Sequence, residues 1–301
     1  MGASHGQETG HAGGRHRWRL AAAFTIIAGF FGVELTYGLL SGSLALLSDA
    51  GHMAADVVAL GAALVATRVA TRPDTTGRRT YGSYRAEVFA SGLAVLLMLA
   101  AAVYVVIEAV GRVGEQVEVD TGPMLVVGAL GLVVNLAAMA LLRGGAAESL
   151  NVKGAYLEVV ADTAGSVGVL VAGWLVWSTG QGYWDTVIAL AIGAYIALRA
   201  VILGREVLAV LGQHAPAGVE PDQVTADLVA VDGVQDVHDL HLWTLTSGMH
   251  VATAHLVTAE PAAQQTVLDH ARAVLRDRHG VAHATLQVET RPTPDCDDPS
   301  W

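Results

Sequence analysis

Six apolar runs, each long enough to cross a hydrocarbon core of about 30 Å at about 1.5 Å per helical residue, recur before residue 210, and none follows it. They fall at roughly 18–40, 44–67, 86–111, 122–143, 155–178 and 185–210, which predicts six transmembrane helices. The composition points the same way: 53% of residues are hydrophobic, 15% are charged and the mean hydropathy is +0.47, too apolar for an ordinary soluble enzyme of this size. The first run is too long for a signal-peptide core and lacks a small-residue cleavage site, so it reads as a retained helix.

Basic residues near the run ends fall almost entirely on one side: Arg15, Arg17 and Arg19, then Arg68, Arg72, Arg78, Arg79 and Arg85, then Arg143 and Lys153, then Arg205. The positive-inside rule places these, and with them both termini, in the cytoplasm of a multi-pass protein of the cell membrane. The opposite connections, SGS, VGEQVEVDTG and STGQGYW, are neutral or acidic, with Arg112 the one exception.

Residues 1–17 read as a flexible tail, 18–210 as the membrane domain, 211–291 as a cytoplasmic domain and 292–301 as a disordered end rich in Pro and Asp. Within the cytoplasmic part a helix near 221–231 precedes period-two alternation in VHDLHLWTL and HVATAHLVT around a turn. A helix at 261–279 and the strand ATLQVET follow. That order predicts a small α+β domain with helices covering one face of a sheet. The single cysteine, Cys296, excludes an intrachain disulfide and a thiolate metal cluster within one chain. The net charge of -11 argues against a nucleic-acid partner.

The chemistry lies inside the apolar runs. His52 and Asp56 are four apart on the second run and share a helical face, and Glu158 and Asp162 repeat that spacing on the fifth. A carboxylate at mid-bilayer costs about 2.5–3.5 kcal/mol or more on insertion scales, so three acids and a histidine demand a compensating cation. No intramembrane Lys or Arg is read as available for the task. A divalent metal supplies it, since one imidazole and three carboxylates complete a tetrahedral set of N and O ligands. The bland alternative, interhelical hydrogen bonding, suits single polar residues better than a doubled acid pair. Asp49, one turn before His52, either guides cations or sits near the outer interface. Glu34 and Asn135, alone on the first and fourth runs, read as hydrogen-bonding groups or as the lining of a wet cavity.

The His-x-x-x-Asp of the second run, TYGSYRAEVFASGL at 80–93, SLNVKGAYLEVVADTAGSVGV at 149–169 and VHDLHLWTLTSG at 237–248 resemble the cation diffusion facilitator family, in its zinc-transporting branch. The resemblance runs through nearly the whole chain. It implies a homodimer of six-helix protomers, each ending in a cytoplasmic ferredoxin-like domain, that exports Zn²⁺ or a related cation against protons without ATP or a prosthetic group. By motif position His52, Asp56 and Asp162 match the family's transport ligands, while Glu158 stands where the zinc branch usually has His. Carboxylate in place of imidazole hardens the site toward Mn²⁺ or Fe²⁺ without excluding Zn²⁺. The resemblance also implies metal binding in the cytoplasmic domain. There His238 and His255 are the favoured candidates, and His241, His250 and His283 read as ordinary surface or strand residues. Arg85 and Glu87 read as a boundary ion pair. An intramembrane metalloenzyme is a weaker reading, since no His-Glu-x-x-His stretch occurs. A membrane-anchored metal sensor is weaker too, since an anchor needs no acids in the bilayer.

Overall fold

The computed structural model describes residues 17–69, 77–113, 118–146, 150–246, 248–258 and 264–291. The stretch before Arg17, the segment holding Arg72, the end with Cys296 and the side chains of Arg68, Glu87, Lys153 and Glu158 lie outside what is described. Contacts divide the chain between Gly204 and Arg205 into two units.

Among the described residues the apolar runs form six long helices: α1 (Arg17–Ser41), α2 (Leu44–Val69), α3 (Ala86–Gly111), α4 (Thr121–Ala146), α5 (Leu150–Thr179) and α6 (Tyr183–Leu211). Segments within α1, α3, α4 and α6 are long and apolar enough to cross a membrane. The bundle is inside out relative to a water-soluble protein. Phe89, Ile107, Val110, Trp177 and Leu208 face outward, whereas Glu34, Asp49, His52, Asp56, Asn135, Asp162 and Asp185 are buried. A bundle with apolar walls and charged contents suits lipid outside and a polar site within.

The connection between α1 and α2 is built tightly. Gly42 takes the left-handed conformation, with φ of +69°, that the two-residue reversal requires. Ser43 caps α2 by accepting the Leu46 N–H at 3.1 Å. Asp185, at the start of α6, accepts the N–H groups of Leu44 at 2.7 Å and Ala45 at 3.2 Å and the Ser43 hydroxyl at 2.7 Å. The early donors of α2 are thus satisfied by its own cap and by a carboxylate from another helix. Arg112, the exception to the charge rule, belongs to this joint. It lies 3.3 Å from Asp185 Oδ2 and 3.4 Å from Glu108, and donates to the Gly42 carbonyl at 2.9 Å. Local carboxylates therefore offset its charge.

The second unit holds α7 (Pro221–Val229), β1 (Val234–Thr246), β2 (Met249–Thr258), α8 (Gln264–His279) and β3 (His283–Glu289). The sheet order is β1-β2-β3, with β1 antiparallel and β3 parallel to β2. Alternation along β2 aims Ala252, Ala254 and Leu256 at Val224 and Leu228 of α7 and Val267, Ala271 and Leu275 of α8, so both helices share one core with one sheet face. Arg278 and His279 of α8 reach Asp227 of α7 at 3.1 and 2.9 Å and tie the helices together.

Candidate metal centre

His52 and Asp56 project from one face of α2, and Asp162 meets them from α5. His52 Nδ1 lies 3.0 Å from Asp56 Oδ2, and His52 Nε2 lies 3.7 Å from Asp162 Oδ1. One ligand atom from each of the three falls within 4.8 Å of the others, and all three residues are buried. The fourth expected ligand, Glu158, stands on α5 one turn before Asp162. The geometry is an imidazole and two carboxylates from two helices converging on one point, the donor set of a zinc-like ion.

The expectation that no intramembrane Lys or Arg is available is incorrect. Arg199, in the middle of α6, places Nη1 3.0 Å from His52 Nε2. The sequence reading weighed basic residues only near the run ends. Residue order also cannot show that a long guanidinium side chain on α6 reaches across to α2. Arg199 also lies over the Tyr195 ring, 5.9 Å from its centroid, and that ring is 6.1 Å from the His52 ring. An arginine only donates, so in this contact the facing Nε2 is the accepting nitrogen.

A second polar group adjoins this site. It comprises Asp49 of α2 and Glu34 of α1, which interact and are both buried. On α4, Asn135 donates to Ser166 of α5 at 3.1 Å. Asp49 Oδ1 lies so close to Gly165 of α5 that no Cβ fits there. Glu34, Asp49 and Asn135 therefore sit between helices rather than among the converging ligands.

In the second unit His238 and His255 are direct partners across β1 and β2, with ring centroids 5.2 Å apart. Glu289 of β3, absent from the sequence expectations, completes the group: its Oε1 is 2.7 Å from His255 Nδ1, and His238, His255 and Glu289 offer ligand atoms within 4.8 Å of one another. Both ring nitrogens of His238 are buried without a hydrogen-bond partner among the described residues, an arrangement a metal would relieve. A bulge between His238 and His241, where Asp239 has φ of +52°, turns Asp239 to within 3.9 Å of His255 Nε2 and 2.8 Å of His241. His250 pairs with Thr244 at 3.4 Å, away from the cluster. Adjacent strands brought Glu289 in, and only the parallel pairing of β3 with β2, unreadable from residue order, could have revealed it.

Comparison with known proteins matches residues 20–211 to the cation efflux transmembrane domain and residues 216–291 to the cation efflux protein cytoplasmic domain. The chain is 39% identical over 298 residues to the metal cation efflux system protein CzcD of Cupriavidus metallidurans, covering 99% of this chain and 93% of that one. It is 33% identical over 282 residues to the zinc transporter ZitB of Escherichia coli, covering 92% and 90%. It is 31% identical over 288 residues to the cadmium, cobalt and zinc/H(+)-K(+) antiporter of Bacillus subtilis, covering 93% and 91%. Family models that together span the membrane bundle and the small sheet domain, and relatives aligned almost end to end, establish that this chain belongs to the cation efflux, or cation diffusion facilitator, family.

Proposed function

We propose that this protein exports divalent metal cations, zinc foremost, in exchange for protons. The reading rests on one observation above all: a buried imidazole and two buried carboxylates from two helices converge within 4.8 Å in a bundle with apolar walls. The names of the relatives, a zinc transporter and a cadmium, cobalt and zinc/H(+)-K(+) antiporter, support both the cargo class and ion exchange. The family is one of transporters, which weighs against the metalloenzyme reading.

In this reading all six long helices cross the cell membrane, with both termini cytoplasmic. Residues 18–210 are the transport domain, and residues 211–291 a cytoplasmic metal-binding and dimerisation domain of a homodimer. His52, Asp56, Glu158 and Asp162 hold the cargo ion. These groups ligate only when deprotonated, so arriving metal expels protons and arriving protons loosen metal. A site open alternately to either side then exchanges one for the other along an inward proton gradient, without ATP. Its carboxylate-rich donor set admits Mn²⁺ and Fe²⁺ beside Zn²⁺. His238 and His255, joined by Glu289, form a regulatory cation site.

Uptake of Zn²⁺, Cd²⁺, Co²⁺, Mn²⁺ and Fe²⁺ into proteoliposomes under an imposed proton gradient tests the proposal. Wild type should move Zn²⁺ with counterflow of protons, and Asp162→Ala should abolish it. Unaltered transport by Asp162→Ala would sink the site assignment.

A further inference from the structure

We infer that Arg199 is a tethered counter-cation of the transport site, occupying the ligand lone pair in the metal-free protein, so that metal binding is a displacement. The inference deepens the proposed transport function and rests on it.

Three observations carry it. The guanidinium nitrogen is 3.0 Å from His52 Nε2, a bonding distance, in a part of the bundle where Asp56 and Asp162 are almost fully buried. The partner atom must present a lone pair, because a guanidinium can only donate to it. A metal and an arginine cannot use that lone pair together, and at a metal's distance the two positive charges repel strongly in a low-dielectric interior. Finally, a perch for the displaced group is at hand. Tyr195, one turn earlier on α6, already lies beneath the guanidinium at 5.9 Å, so a small rotation about the arginine stem replaces the histidine contact with fuller stacking on the ring.

The charge count gives this arrangement its use. Asp56, Glu158 and Asp162 contribute three carboxylates, and one permanently charged guanidinium reduces the net charge to be neutralised by protons or metal. The metal-free site can then exist in the bilayer with fewer bound protons, and the guanidinium re-entering the site helps expel the ion. Arg199 therefore weakens equilibrium affinity while speeding release, and acts as a positioning and specificity residue rather than a ligand. A soft ion that binds imidazole strongly, such as Cd²⁺, displaces it more readily than Mn²⁺, which gains less from the nitrogen.

The test uses the full chain, purified and carrying His238→Ala and His255→Ala so that the membrane site alone is titrated. Zn²⁺, Cd²⁺ and Mn²⁺ affinities are measured by competition with a chromophoric chelator in this background and with Arg199→Gln, Arg199→Lys or Asp162→Ala added. Arg199→Gln should bind Zn²⁺ about tenfold or more tightly, with slower release in stopped-flow chelation, and should narrow the Cd²⁺ to Mn²⁺ ratio. Arg199→Lys, which keeps the charge, should stay near wild type. Equal or weaker Zn²⁺ affinity in a folded Arg199→Gln overturns the inference. Wild-type affinity in Asp162→Ala overturns instead the site on which it rests. Should Arg199→Gln fail to fold, phenylglyoxal labelling of Arg199 in the otherwise intact chain decides. Labelling should rise on adding Zn²⁺, and an unchanged or reduced yield overturns the inference.

Discussion

The carboxylate of Asp185 receives the Leu44 N–H at 2.7 Å, so the first residue of α6 to be buried closes the first turn of α2. Helix α2 carries His52 and Asp56, two turns and more beyond that joint, and its axial position is therefore set by an acid on another helix. A negative charge at this end also favours the helix dipole.

Removing that acid should cost more than an ordinary cap. Asp185→Ala strands the Leu44 and Ala45 donors and leaves Arg112 without a partner it reaches at 3.3 Å. A loss of about 3–5 kcal/mol is expected for breaking a buried charged pair, and roughly 1–2 kcal/mol for Asp185→Asn, which keeps one acceptor oxygen. Thermal unfolding in detergent measures both. Transport should fall in the same order, and equal melting temperatures for all three proteins would refute the joint's role.

Gly165→Ala should damage transport although it adds one methyl group. The new Cβ would overlap Asp49 Oδ1, forcing α2 and α5 apart beside the ligands they contribute. Shortening the obstructing side chain with Asp49→Ser in the same chain should restore part of the Zn²⁺ affinity lost in Gly165→Ala. A Gly165→Ala protein with unaltered Zn²⁺ binding would show that the helices do not need this close approach.

Glu158→His should shift selectivity. Exchanging a carboxylate for an imidazole softens the donor set, so uptake of Mn²⁺ relative to Zn²⁺ should drop by about an order of magnitude in competition assays. The direction is the prediction, and a rise in relative Mn²⁺ uptake would remove Glu158 from the ligand set.

The strand cluster should bind metal independently of the bundle. Equilibrium dialysis of the full chain should yield one fewer Zn²⁺ per protomer for Glu289→Gln combined with His255→Ala, while Asp162→Ala removes a different ion. His241→Ala should leave the count untouched, since its ring pairs with Asp239 and is largely exposed. A stoichiometry that does not change in the Glu289→Gln and His255→Ala chain would mean these side chains pair only with one another.

What could be read from residue order follows the range of the forces involved. The six long helices were legible because apolar runs of this length have one stable form in lipid, and β1 and β2 because their alternation has a period of two. His52 and Asp56 share a face by spacing alone. Convergence of Asp162 with them depends on how α5 packs against α2, and here a local rule could only propose. Glu289 and Asp185 were missed because each acts on a strand or helix distant in sequence. Arg199 carried a signal that was passed over: a full charge in the middle of an apolar run. The outlying Arg112 made sense only with Asp185 and Glu108 in place, since a charge bias counted along the chain is blind to neutralisation across it.

His52 and Asp56 ride on α2, Asp162 on α5 and the competing Arg199 on α6. Zinc bonds tolerate errors of only about 0.2 Å, far less than the sliding of packed helices by about 1 Å. An ion held as proposed would therefore behave as a caliper, fitting one gap between α2 and α5 and letting go at another. In that reading, any force that widens the gap is felt at the centre as a drop in occupancy.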